Sequence, residues 1–96
     1  MRRSILGQSE REDHLKQCPD WQDDGTRISR TFKFDTYMEG MAFANALAEI
    51  AEKANHHPDM LITYRSVTVT LTTHDQGGVT LLDINFAQQI ERWNGA

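Results

Sequence analysis

Between Ile28 and Phe34 the apolar residues Ile28, Phe32 and Phe34 alternate with Arg27, Ser29, Thr31 and Lys33, and Arg30 interrupts the apolar face once. A period of two predicts a half-buried strand there. The period then changes. Asp35 or Thr36 caps a helix, and Thr36 with Glu39 has capping-box spacing. Phe43, Leu47, Ile50 and Ala54 recur on one stripe, which Met41, Ala44, Ala48 and Ala51 widen. The small alanines allow close approach to a sheet. Pro58 disfavours helical backbone at His57, so this helix stops near Asn55.

Two further alternating runs follow, Met60-Ile62-Tyr64 and Val67-Val69-Leu71, the second spaced by threonines. Only Arg65-Ser66 separates them, which predicts a tight hairpin with those two residues as its turn. Gly77-Gly78 reads as a turn, Thr80 with Asp83 as a third helix start, and Leu82, Phe86, Ile90 and Trp93 as the apolar face of a last helix. Upstream, Ser9 with Glu12 opens a short helix that ends before Pro19. Asp23-Asp24-Gly25 is a turn, and the segment around Trp21 is the hairpin partner of the first strand. Residues 1–8 read as a loose tail and residues 9–96 as a single domain. The order helix, two strands, helix, two strands, helix predicts the α+β class: a four-stranded antiparallel sheet with helices packed on one face.

Composition narrows the class of function. The 96 residues are 39% hydrophobic and 25% charged, ordinary values for a globular chain, with a formal net charge of −4. A sequence pI of 5.4 lacks the basic balance of a nucleic-acid binder. Cys18 is the only cysteine, which leaves no intrachain disulfide and no cysteine-based zinc site. Arg2 and Arg3 are not followed by the apolar core of a signal peptide, and no run of apolar residues is long enough to span a membrane. The expectation is a cytoplasmic protein with no membrane and no nucleic-acid partner. A chain this short has limited core and a sheet with exposed edges, so a homodimer or homotetramer is expected.

Three of the four histidines fall in the window His56-His57-Pro58 to His74. With Arg65-Ser66 as the turn, Tyr64 faces Val67 and Met60 faces Leu71, and continuing past the ladder places His57 opposite His74. Glu52 lies one helical turn before His56, which brings its carboxylate alongside that imidazole. Asp83 opens the helix beyond the His74 loop. Imidazole exchanges protons near neutrality, so several at one rim suit a reaction in which one group takes a proton while another protonates a leaving group. Each piece also has a plainer reading: a polar helix exit for His56 and His57, a loop residue for His74, a solvated helix residue for Glu52, and a helix-terminal carboxylate for Asp83. Zinc is the rival chemistry for three imidazoles. Adjacent histidines at a helix exit aim poorly at one ion, and helical His-x-x-x-His spacing is absent, so no metal and no cofactor are expected.

The extended pattern Glu52, His56-His57-Pro58, Tyr64, His74 and Asp83 resembles the pterin-4a-carbinolamine dehydratase family. Trp21, the strand Ile28–Phe34, Ala51-Glu52 and Leu71-Thr72-Thr73-His74 are also similar to it, and the likeness runs over residues 9–93. The resemblance implies a hydro-lyase that removes water from 4a-hydroxytetrahydropterin to give quinonoid dihydropterin, in tetrahydrobiopterin recycling. Carried over by position, His56 and His74 are acid–base groups, and His57 holds and polarises the substrate. Glu52 and Asp83 orient them, Thr72, Thr73 and Asp75 grip the pterin ring edge, and Trp21 forms part of the pocket wall. Asn55 counts with the residues that bind the substrate or support those that do; it stands where animal members have Asp, and any electrostatic role of that Asp is left unassigned here. Cys18-Pro19-Asp20-Trp21 departs from the usual glycine before the tryptophan. The alternative implied by the same likeness is a non-catalytic member that keeps the fold as a scaffold or assembly partner.

Overall fold

Helix α1 covers Gln8–Leu15, strands β1 and β2 cover Gln22–Asp23 and Ile28–Lys33, and α2 covers Tyr37–Ala54. Strands β3 and β4 cover Asp59–Thr63 and Ser66–Leu71, and α3 covers Leu81–Gly95. The computed structural model describes residues 4–95. The strands form one four-stranded antiparallel sheet in the order β1-β2-β4-β3, so the expected α+β class is observed. Two compact units divide the chain: residues 30–70 form one, and the segments up to Ser29 and onward from Leu71 form the other.

In the unit of residues 30–70, Thr36 caps α2 as its spacing predicts. Its hydroxyl accepts from the Glu39 N–H, and the Glu39 carboxylate returns to the Thr36 N–H, both at 3.1 Å. The buried stripe of α2 is Gly40, Phe43, Ala44, Leu47 and Ala51; Ile50 is only half-buried and Ala54 is exposed, so the stripe is rotated from the expected one. Small residues let the helix sit close, and a Cβ at Gly40 would stand 3.5 Å from both Phe34 and Val67. Phe43 packs on Phe32 and Phe34, with ring centroids 4.7 and 5.2 Å away. Arg30 lays its guanidinium 4.3 Å from the Phe32 ring centroid, which explains how a charge fits on that face.

The β3–β4 hairpin forms, but its turn is one residue earlier than predicted. Thr63 pairs with Ser66 and Met60 with Val69, so Tyr64-Arg65 are the turn residues. The Thr63 and Ser66 hydroxyls bond at 2.6 Å across the last pair, and Tyr64, expected as a strand residue, stands exposed. This shift removes the register from which His57 was expected to face His74. Val67 and Val69 of β4 are fully buried, whereas β3 alternates only between exposed and half-buried.

In the other unit, the N-cap of α1 lies two residues before the expected Ser9. Gly7 is its N-cap, and the Glu10 carboxylate accepts the Gly7 N–H at 3.0 Å. The predicted loose tail spans residues 1–8, of which 1–3 lie outside the described residues. Leu6 in that stretch is buried, its N–H donates to the Val79 carbonyl at 2.8 Å, and its carbonyl accepts from Arg11 at 2.9 Å. Arg11 also pairs with Asp23 at 2.8 Å. The β1–β2 hairpin forms with Asp23 opposite Ile28. Its turn is tied by the Asp24 carboxylate, which accepts the N–H groups of Thr26 and Arg27 at 2.9 and 2.7 Å. These backbone donors, Thr26 first, hold the Asp24 carboxyl below the ordinary carboxylate range. Gly25, at φ 101°, supplies the backbone conformation that turn needs. No helix among the described residues is long and apolar enough to cross a membrane.

Candidate active site

In the unit of residues 30–70, the site residues come from the exit of α2. Asn55 adopts left-handed backbone, φ 52° and ψ 41°. The His56 N–H then bonds back to the Ala51 carbonyl at 3.2 Å and the Asn55 N–H to the Glu52 carbonyl at 3.3 Å. Those two bonds around a left-handed residue are the Schellman closure of a helix. The chain reverses there, and the ring of His57 folds back along the last turn. Its Nε2 lies 2.5 Å from Glu52 Oε2. The carboxylate therefore meets His57, not His56 as helical spacing predicted, because the helix ends before an i,i+4 relationship to residue 56 exists. Side-chain exposures of 58% and 75% leave both members of this pair open to solvent. His56 is half-buried.

In the other unit, the residues between β4 and α3 form a closed loop. The Thr73 N–H donates to the Gly78 carbonyl at 2.9 Å, and the Thr73 carbonyl accepts from Gln76 and Gly77 at 3.0 and 2.9 Å. Gly77, at φ 77°, completes the turn. His74 and Asp75 project from it and are exposed. Beneath them Asp83 is fully buried and accepts the Thr73 hydroxyl at 2.8 Å and the Thr80 N–H at 2.9 Å. Thr80 caps α3 through its bond to the Leu82 N–H at 3.2 Å, and its hydroxyl lies 2.8 Å from that of Thr73. Asp83 thus serves the helix terminus and also moors the loop that carries His74.

The remaining predicted residues fall as follows. The Thr72 hydroxyl donates to the Thr26 carbonyl at 2.8 Å. Trp21 is 4% exposed, and its indole N–H donates to Glu91 at 2.9 Å. That bond joins residues 70 apart in sequence, and neither capping nor periodicity signals Glu91 as the partner. The mooring role of Thr80 had a signal in its capping-box spacing to Asp83. Among the described residues, no three His, Cys, Asp or Glu side chains gather in a metal-holding group.

Two features give this arrangement chemical content. One imidazole is paired with a carboxylate through Nε2, which fixes the ring; a second stands on a loop held by a buried carboxylate. The model of the family described as pterin 4 alpha carbinolamine dehydratase matches residues 4–93. The chain belongs to that family. A Natronomonas pharaonis protein that carries the provisional name pterin-4-alpha-carbinolamine dehydratase is 51% identical over 71 residues, 74% of this chain and 77% of its own. A Trichormus variabilis protein with the same provisional name is 42% identical over 90 residues, 94% of this chain and 97% of its own. Among solved structures, a transcriptional coactivator/pterin dehydratase from Brucella melitensis superposes with a TM-score of 0.84 at 38% identity, covering 93% of this chain and 97% of that one. A pterin dehydratase-like protein described as a RuBisCO assembly factor in the alpha-carboxysome superposes with a TM-score of 0.65 at 25% identity, covering 80% and 92%.

Proposed function

We propose that this chain is a 4a-hydroxytetrahydropterin dehydratase working by histidine acid–base catalysis in pterin recycling. The observation that carries the reading is the His57–Glu52 pair, set within a chain that matches the dehydratase family over residues 4–93. In the reaction the N5–H proton goes to one imidazole while the N5 electrons form the C4a=N5 double bond. The C4a–O bond breaks, and its electrons leave with the hydroxyl, which a second, protonated imidazole converts to water. His56 and His74 are the proton-transfer groups. His57, its ring oriented by Glu52, holds the substrate. Asp83 fixes the His74 loop through Thr73, Thr72 and Asp75 bind the ring edge, and Trp21 with its Glu91 bond supports the wall. No metal enters any step. The family likeness is the ground for proposing a homodimer or homotetramer, with the cytoplasm as its compartment from the sequence.

The test is the dehydration rate of 4a-hydroxytetrahydropterin with chelator-treated protein: accelerated loss of the carbinolamine is expected, and a rate equal to the uncatalysed one overturns the reading. The likeness to the RuBisCO assembly factor favours a second reading, a scaffold that keeps the fold without the chemistry. Under that reading the histidine variants leave function untouched, and partner assembly responds to surface substitutions instead.

A further inference from the structure

We infer that Asn55 is a positioning residue that acts through its backbone, and that its left-handed conformation is what brings His57 onto Glu52. The inference deepens the proposed dehydratase and rests on it for its catalytic consequence, though not for its geometry. Among the described residues, Asn55 is the only non-glycine with positive φ. Left-handed backbone is adopted readily by glycine, tolerated by Asn, and disfavoured by side chains branched at Cβ. In this conformation α2 ends in two bonds, His56 N–H to Ala51 and Asn55 N–H to Glu52. The chain then turns back, and two residues later His57 Nε2 reaches Glu52 Oε2. Were residue 55 right-handed, the helix would run on toward Pro58 and residue 56 would take the i,i+4 position beside Glu52. The identity of residue 55 thus selects which of two adjacent imidazoles the carboxylate orients. An Asp at this position could hold the same backbone, so the requirement is conformational.

The experiment follows the His57 ring directly, in full-length protein with ¹⁵N-labelled histidine, by its Nε2 resonance, beside dehydration kinetics. Glu52→Gln sets the signature of a lost carboxylate. Asn55→Val should move the His57 resonance the same way and lower kcat/KM to the Glu52→Gln level, about tenfold, with the double variant no worse. Asn55→Gly keeps left-handed backbone without the side chain and should retain the wild-type resonance. If Asn55→Val fails to fold, Asn55→Ala takes its place with the same expected direction. A wild-type resonance in Asn55→Val or Asn55→Ala overturns the inference. So does an Asn55→Gly variant that behaves like Glu52→Gln, since that assigns the role to the amide side chain. The resonances decide the matter even if the wild-type protein shows no dehydration, so failure of the activity and failure of the positioning role are separable.

Discussion

Glu52 and His57 are five residues apart in sequence, yet their carboxylate and imidazole meet at 2.5 Å across the end of α2. An exposed ion pair of this kind contributes little to stability, on the order of 0–1 kcal/mol. Its worth lies in fixing a ring. Glu52→Gln should therefore lower kcat/KM for dehydration by about tenfold, a fraction of what a whole general acid or base supplies. The urea midpoint should barely move. A large loss of stability with unchanged turnover would show that the pair is structural.

Asp83 presents the opposite balance. It is fully buried, and its carboxylate serves both the Thr73 hydroxyl and the Thr80 N–H. Asp83→Ala removes a helix-cap partner and leaves buried donors unsatisfied, at a cost of about 2–4 kcal/mol. Thr73→Val, which removes one hydroxyl from the network, should cost about 1–2 kcal/mol. Equilibrium urea unfolding measures both, and a cost for Asp83→Ala no larger than that for Glu52→Gln would contradict the mooring role.

Asp24 supplies a prediction in pH. Its folded carboxyl is held below the ordinary value of 3.8, chiefly by the Thr26 N–H and then by that of Arg27. A depressed folded value means that the ionised group favours the native state. The contribution is complete above pH 3.8 and is lost as pH falls through the lowered folded value. Asp24→Asn keeps a side-chain acceptor for the turn but cannot ionise. Thermal melts from neutral to acid pH should show a shallower acid loss in Asp24→Asn than in the wild type. Identical slopes would contradict the assignment.

The histidine assignments divide kcat from KM. His57→Ala should raise KM at least as much as it lowers kcat, because its proposed task is to hold the pterin ring. Steady-state kinetics decide this, and normal constants would rule out the binding role. Folding should be unaffected, because His57 is exposed.

Much of this architecture was legible in the chain, and the departures have physical causes. The capping boxes at Thr36-Glu39 and Thr80-Asp83 are local patterns; the first forms in full, and in the second Asp83 takes the Thr80 N–H while the Thr80 hydroxyl takes that of Leu82. The hairpin register slipped because Tyr64 reads as a strand aromatic, yet it projects from the turn beside Arg65 and is 75% exposed. The α2 stripe was displaced because small residues carry part of it, Gly40 close against Phe34 and Val67 and Ala51 buried where Ile50 is only half-buried, and periodicity weighted by hydrophobicity misses small residues. That Glu52, His56 and His57 all lie at the exit of α2 was legible. Their pairing was not, since it depends on one left-handed residue, Asn55, that period and propensity do not register. The Trp21–Glu91 bond joins distant segments and has no local pattern at all.

The central claim is that two imidazoles share the proton traffic of a dehydration. Single His56→Ala or His74→Ala variants should lower kcat by about 10²-fold or more, unless the remaining ring substitutes in part. The most direct measurement is therefore the rate of 4a-hydroxytetrahydropterin dehydration by the His56→Ala/His74→Ala double variant, beside chelator-treated wild-type protein. The account predicts rapid turnover in the wild type without metal and a loss in the double variant beyond that of either single one. Near-wild-type turnover in the double variant would contradict it.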